Sequence, residues 1–151
     1  MQAVPRFPMF VNLWNQKVII IGGGQIAARR AAVLLEFGAK ITVIAPEIDS
    51  KLVSLDIQTI YRPYASGDCA GSAFVLAATD SREINHAVYE EAKALGLPVN
   101  VSDAPEECSF YFPAIVRQGP LTIGLVADGK NHTLVKEAAQ ALRENIDKIL
   151  W

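Results

Sequence analysis

Cysteine is nearly absent from this chain of 151 residues: Cys69 and Cys108 stand far apart, and no C-x-x-C occurs. That excludes a disulfide scaffold or a zinc ribbon and suits a reducing compartment, with each cysteine read as a small buried apolar residue. Histidine is equally scarce, with only His86 and His132. No two ligand-type residues have metal-site spacing, so no metal is expected. Charge of one sign is missing too. A net charge of −2 gives no general field to draw nucleic acid or an anionic membrane surface. No apolar run reaches the ~18 residues that a bilayer span needs, and the first residues lack a basic-then-apolar signal pattern. The expectation is a cytoplasmic protein with neither a nucleic-acid nor a membrane partner. What remains is an ordinary globular composition, 51% hydrophobic and 20% charged, enough for one domain or one domain plus an appendage.

The stretch Lys17-Val-Ile-Ile-Ile-Gly-Gly-Gly-Gln-Ile-Ala-Ala-Arg-Arg30 organises the rest. A buried-strand pattern runs into three glycines and then into an amphipathic segment. Gly22, Gly24 and Ala27 fit the G-x-G-x-x-G/A spacing of a dinucleotide-binding turn. The first position needs a tight turn, the second a close backbone approach to pyrophosphate, and the third close helix–strand packing. The helix that follows points unpaired N–H groups and its positive dipole end at the phosphates.

Around this turn the pattern alternates. Before it, the proline- and aromatic-rich residues 1–15 read as an extended arm packing along the sheet. Strands are expected at Val18–Ile21, Lys40–Ile44, Ile57–Tyr61, Ala73–Ala78 and Val99–Val101. Helix Gln25–Phe37 buries Ile26, Val33, Leu34 and Phe37 and ends at Gly38. A polar segment covers Asp49 to Ser54. A second helix starts with Asp80 as N-cap, Glu83 three residues on, and buries Ile84, Val88, Ala92 and Leu95. The whole reads as α/β, a doubly wound, Rossmann-like parallel sheet over residues 1–112. Beyond it, Phe110–Val116 and Leu121–Val126 read as a hairpin. A last helix, from Asn131 or Thr133 to Ile149, carries the stripe Leu134, Val135, Ala138, Leu142, Ile146 and Ile149. A hairpin and one helix bury such faces poorly alone, so residues 113–151 are expected to dimerise.

The candidate site residues gather where strands end. Asp103, two residues past the fifth strand, is a possible general base; its competing role is a turn or cap for 104–108. Asn100 could serve a nicotinamide or only the local backbone. Thr79 could contact cofactor ribose, whereas Asp80 is read as the cap. Glu47, just past Pro46, could hold ribose hydroxyls or be a solvated loop charge. No arginine follows the second strand, which favours NAD over NADP. Arg29 and Arg30 read as a solvated helix face, and His86 as a surface residue. Arg117 and Lys130 could meet anionic substrate groups or serve solubility. His132 is the histidine placed to titrate near a site.

The chain resembles the N-terminal module of siroheme synthases, the precorrin-2 dehydrogenase / sirohydrochlorin ferrochelatase family. The matching stretches are Phe7-Pro-Met-Phe-Val-Asn-Leu13, the Val18–Arg30 segment, Gly38-Ala-Lys-Ile-Thr-Val-Ile-Ala-Pro46, Ala77-Ala-Thr-Asp80, Asn100-Val-Ser-Asp-Ala-Pro105, Phe112-Pro-Ala-Ile115 and Gly119-Pro-Leu-Thr-Ile-Gly124. The resemblance implies NAD-dependent oxidation of precorrin-2 to sirohydrochlorin, an oxidoreductase step of siroheme synthesis, in a homodimer. It places the family's aspartate on Asp103 as general base. Its cofactor contacts fall on Gln25 and Ile26 after the glycines, and on Pro46 and Glu47 after the second strand. The many carboxylates of the tetrapyrrole give Arg117, Lys130 and His132 a role toward substrate. Two alternatives follow from the same resemblance: a ferrochelatase inserting Fe²⁺, and a non-catalytic NAD- or tetrapyrrole-binding module. Where the family carries Ser-Ser/Thr-Gly-Gly-Lys/Thr-Ser-Pro, this chain reads Val126-Ala-Asp-Gly-Lys-Asn-His132, with Asp128 as an added carboxylate. Family members usually continue into a helical C-terminal domain; the sequence here ends at Trp151.

Overall fold

The computed structural model describes residues 4–150. It divides into two compact units, one of Val11–Phe110 and one of residues 4–10 with 111–150. The expected ranges 1–112 and 113–151 extend at their ends to residues outside the described ones.

The larger unit is built on five parallel strands: β1 (Lys17–Ile21), β2 (Lys40–Ala45), β3 (Gln58–Tyr61), β4 (Phe74–Ala77) and β5 (Val99–Val101). Their order across the sheet is β3-β2-β1-β4-β5, the doubly wound arrangement. Val18, Ile19, Ile20 and Ile21 of the central strand are at most 1% exposed. An uninterrupted β-branched run suits a strand covered on both faces, and it leaves no polar face to mark alternation. Ile21 pairs with Ile44 on one side and Ala77 on the other, and Ala77 pairs with Val101. Four strands therefore end level, and their following loops emerge along one sheet edge.

Helix α1 (Gln25–Glu36) packs on the sheet through Ala27, Ala28, Ala31 and Leu34. This corrects the expected face. Ile26 is 37% exposed, and Val33 and Phe37 are only half-buried. A helix lying close to a sheet seats its smallest side chains at the contact. Gly38 ends it with a positive φ of 77° beneath the indole of Trp14. The arm also differs from expectation. Leu13 is buried and Trp14 packs at Gly38, but residues 4–10 belong to the smaller unit, where Arg6 lies over the Tyr111 ring. The polar segment after β2 holds a short helix, α2 (Ser50–Val53), capped by Asp49, whose carboxylate accepts from the Lys51 N–H. Its Leu52 is fully buried.

Helix α3 (Arg82–Ala94) is capped by Ser81 rather than Asp80: the Ser81 hydroxyl accepts from the Ile84 N–H. Both residues are good caps, and the oxygen that reaches the first turn decides. Its buried residues are Asn85, Val88 and Ala92, while Leu95 is 49% exposed. A 3-10 turn, Pro105–Glu107, follows β5.

In the smaller unit β6 (Ala114–Gln118) and β7 (Leu121–Leu125) form an antiparallel hairpin, starting four residues later than the sequence pattern suggests. Helix α4 (His132–Leu150) packs on it through Ala139 and Ile146 against Val116, with Leu121, Ile123, Leu125 and Leu142 around them. The Asn131 side chain accepts from the Leu134 N–H at the helix start. Leu134 and Ile149, expected in the buried stripe, are 54% and 65% exposed.

Candidate functional site

At the end of β1 the backbone turns into α1 through the three glycines. Gly22 has a φ of 123°, and a Cβ there would fall on the Ala78 carbonyl. The turn thus fits against the β4 loop at the point where strand order reverses, the crevice where doubly wound sheets bind ligands. Gly23 matters as well, which the spacing argument does not reveal: a Cβ there would strike the Glu47 carbonyl. Gly24 differs from both. Its φ is −94°, and a Cβ would meet nothing within 4 Å. The start of α1 carries no side-chain cap, so its first N–H groups face that open space beside exposed Gln25 and Ile26. A pyrophosphate fits such a cradle. Pro46 and Glu47, both exposed, follow β2 along the same edge.

The loops after β4 and β5 complete this edge. The Thr79 hydroxyl lies 2.7 Å from Asn85 Oδ1 and 3.1 Å from the Ser81 carbonyl. Asn85 is fully buried on α3 and donates through Nδ2 to Asp103 Oδ1 at 3.0 Å. Arg82 donates to the same oxygen at 2.8 Å and forms a second ion pair with Glu107. His86 Nδ1 completes the chain, 2.7 Å from Glu107 Oε1. Burial acts to raise the Glu107 pKa, but hydrogen bonds from His86 and Arg82 outweigh it and hold that carboxyl below its ordinary value. Asp103 itself stays accessible, its side chain 38% exposed. An accessible carboxylate braced by a guanidinium and an amide can take a proton from a ligand at the strand ends.

Gly22, Gly24, Gln25, Ile26, Pro46, Glu47, Thr79 and Asp103 thus all lie on the carboxyl edge of one sheet. Arg117, Lys130 and His132 belong to the smaller unit, all three exposed. Asp128 there accepts from the Lys130 N–H. Two sequence readings change. Arg30 is no solvated residue: its guanidinium donates to Asn100 Oδ1 at 2.5 Å, and burial lowers its pKa. Asn100 is 4% exposed and donates to the Phe110 carbonyl, so its amide serves the fold. Arg82, Asn85 and Glu107 are not among the site candidates that the sequence offers. Arg82, Asn85, His86 and Tyr89 do recur at helical spacing on α3, but that pattern equally describes a solvated face.

Residues 9–114 match a protein family described as "Putative NAD(P)-binding". That match spans the whole of the larger unit. The chain belongs to this NAD(P)-binding family. Among individual relatives of this family member, the "Probable multifunctional siroheme biosynthesis protein HemA" of Ruminiclostridium josui is 46% identical over 144 residues, 92% of this chain and 28% of that protein. The "Siroheme synthase" of Psychrobacter arcticus is 40% identical over 148 residues, 95% of this chain and 26% of that protein. The chain thus spans less than a third of these curated relatives, and it matches the N-terminal module of siroheme synthases. A solved structure titled "SirC, precorrin-2 dehydrogenase" superposes with a TM-score of 0.79 at 26% identity, covering 93% of this chain and 71% of that one. The similarity includes the hairpin and last helix as well as the sheet. Among the described residues, no helix is long and apolar enough to cross a membrane, and no group of three or more His, Cys, Asp or Glu could hold a metal ion.

Proposed function

We propose that this chain oxidises precorrin-2 to sirohydrochlorin, with NAD as hydride acceptor and Asp103 as general base. The observation that carries the reading is the common edge: the uncapped glycine turn and the braced, accessible Asp103 emerge from the same side of one parallel sheet. NAD bound at that edge supplies the acceptor for a hydride. Gly24 and the first turn of α1 hold the pyrophosphate, Glu47 the ribose hydroxyls, and Gln25, Ile26, Pro46 and Thr79 border the cofactor. Asp103 takes the proton released as the macrocycle loses its hydride, then returns it to water. Proton and hydride together account for the two hydrogens that the substrate loses.

Arg117, Lys130 and His132 meet the carboxylates of the substrate in this reading. A homodimer formed through residues 113–151 covers the exposed Leu134 and Ile149; sedimentation at micromolar concentration tests this, a monomer refuting it. The activity is tested by mixing the protein anaerobically with precorrin-2 and NAD⁺ and following NADH absorbance. Stoichiometric NADH supports the dehydrogenase. Metal insertion into sirohydrochlorin without NAD, and no NADH from precorrin-2, would replace it with a chelatase. Tight tetrapyrrole binding with neither reaction would leave a binding module.

A further inference from the structure

Asn85 is a fully buried polar side chain in the first turn of α3, and the helix's packing on the sheet does not call for one. Its amide uses its full hydrogen-bonding capacity. Oδ1 accepts from the Thr79 backbone N–H at 3.1 Å and from the Thr79 hydroxyl at 2.7 Å. Nδ2 donates to the Thr79 carbonyl at 3.0 Å and to Asp103 Oδ1 at 3.0 Å. These partners admit one orientation of the amide, because reversing it would set its oxygen against the Thr79 carbonyl and the Asp103 carboxylate and its N–H against the Thr79 N–H. A buried network satisfied at every atom is rigid. It ties the loop after β4 to the loop after β5.

The consequence for Asp103 is directional. Both Arg82 Nη1 and Asn85 Nδ2 converge on Oδ1. Among the described residues, Oδ2 takes no hydrogen bond. We propose that Asn85 is the positioning residue of this site: it anchors Asp103 by one oxygen so that the other faces the reacting carbon. This rests on the reading of Asp103 as general base. Arg82 cannot do the task alone, since it is 45% exposed, long, and shared with Glu107. The amide is the short, buried, fixed member of the pair.

The test compares Asn85→Leu and Asn85→Asp with the parent chain. Asn85→Leu keeps the volume and removes the donor. Misplacing a catalytic group by about 1 Å costs about 100-fold, so kcat falls by about 10- to 100-fold while both KM values stay put. Asn85→Asp gives a sharper readout. The charged and titratable groups facing Asp103 are Arg82 directly, then Glu107 and His86 behind it. Protonated, the introduced carboxyl can donate to Asp103 Oδ1 in place of the amide; ionised, it sets a like charge against it. The Asn85→Asp enzyme therefore loses kcat as pH rises and the introduced carboxyl ionises, a loss that the parent does not show. A merely structural asparagine gives a loss independent of pH.

A second measurement needs no turnover. The Asn85 side-chain amide resonances follow the ionisation of Asp103 in the parent chain and lose that titration in Asp103→Asn. Unchanged kcat in Asn85→Leu, or amide resonances indifferent to Asp103, overturns the positioning role. Full activity in Asp103→Asn overturns the general-base reading instead. If Asn85→Leu does not fold, the pH dependence of Asn85→Asp and the amide titration decide.

Discussion

Replacing Gly22 and Gly24 by alanine separates two functions that the glycine spacing alone runs together. Gly22 has a φ of 123° and its Cβ would fall on the Ala78 carbonyl. The φ penalty alone is about 1–3 kcal/mol, and a backbone carbonyl cannot rotate aside as a side chain can. At this chain length 1 kcal/mol moves Tm by about 2–4 °C, so Gly22→Ala lowers Tm by about 5 °C or more. Gly24 has an allowed φ of −94° and nothing within 4 Å of a Cβ. Alanine there narrows the unfolded ensemble, a gain of about 0.4–1 kcal/mol, against the loss of a better helix cap, about 0.5 kcal/mol. The two nearly cancel, and Tm stays within about 2 °C. The added methyl nevertheless stands in the space assigned to the pyrophosphate, so NAD binding weakens at least tenfold, about 1.4 kcal/mol. Thermal melts and isothermal titration with NAD⁺ check both arms. Unweakened NAD binding by Gly24→Ala, or a parent-like melt for Gly22→Ala, would refute the reasoning.

Glu107 gives a pH prediction. Its carboxyl is held below its ordinary value by His86 and Arg82, so the native state binds protons there less readily than the unfolded chain. The resulting stability is complete above the ordinary carboxylate range of about 4.3 and disappears as pH falls through the lower folded value. The Tm gap between parent and Glu107→Gln should therefore be open at pH 7 and closed in acid; a gap that widens in acid contradicts this. Glu91 anchors the loop after β3, accepting from the Gly67 N–H at 2.6 Å and the Tyr64 hydroxyl at 2.5 Å. Hydrogen bonds to charged groups contribute about 1.5–3 kcal/mol, so Glu91→Ala loses about 2 kcal/mol in urea unfolding, and amide exchange speeds up over residues 63–71. Parent-like exchange there would argue against the anchor.

The sheet was readable because its signals are local and redundant. Val18–Ile21 is apolar at every position, Gly22 and Gly38 sit where the backbone needs a positive φ, and β1, β2 and β4 are each followed by a helix. The helix faces were harder. Ile26 and Val33 look more hydrophobic than Ala27 and Ala31, yet close packing on a sheet selects by size, which a hydrophobicity pattern does not weigh. Asp80 and Ser81 are both capping residues, and only the position of each oxygen relative to the Ile84 N–H separates them. Asp103 is singled out in the sequence by its place after a strand. Its braces are not, because Arg82 and Asn85 lie about twenty residues earlier and meet it only across the sheet edge. Arg30 was misread for the same reason: its partner, Asn100, is seventy residues away.

The central claim is that Asp103 takes the proton as a hydride leaves the substrate for NAD. Asp103→Asn keeps the shape of the side chain, and its amide can still meet Arg82 and Asn85 through an oxygen, but it is no base. Single-turnover NADH formation from precorrin-2 and NAD⁺, followed anaerobically, measures the step directly. The expected result is a fall of at least about 100-fold in rate, with NAD⁺ affinity and Tm close to the parent. NADH formation at the parent rate would contradict it.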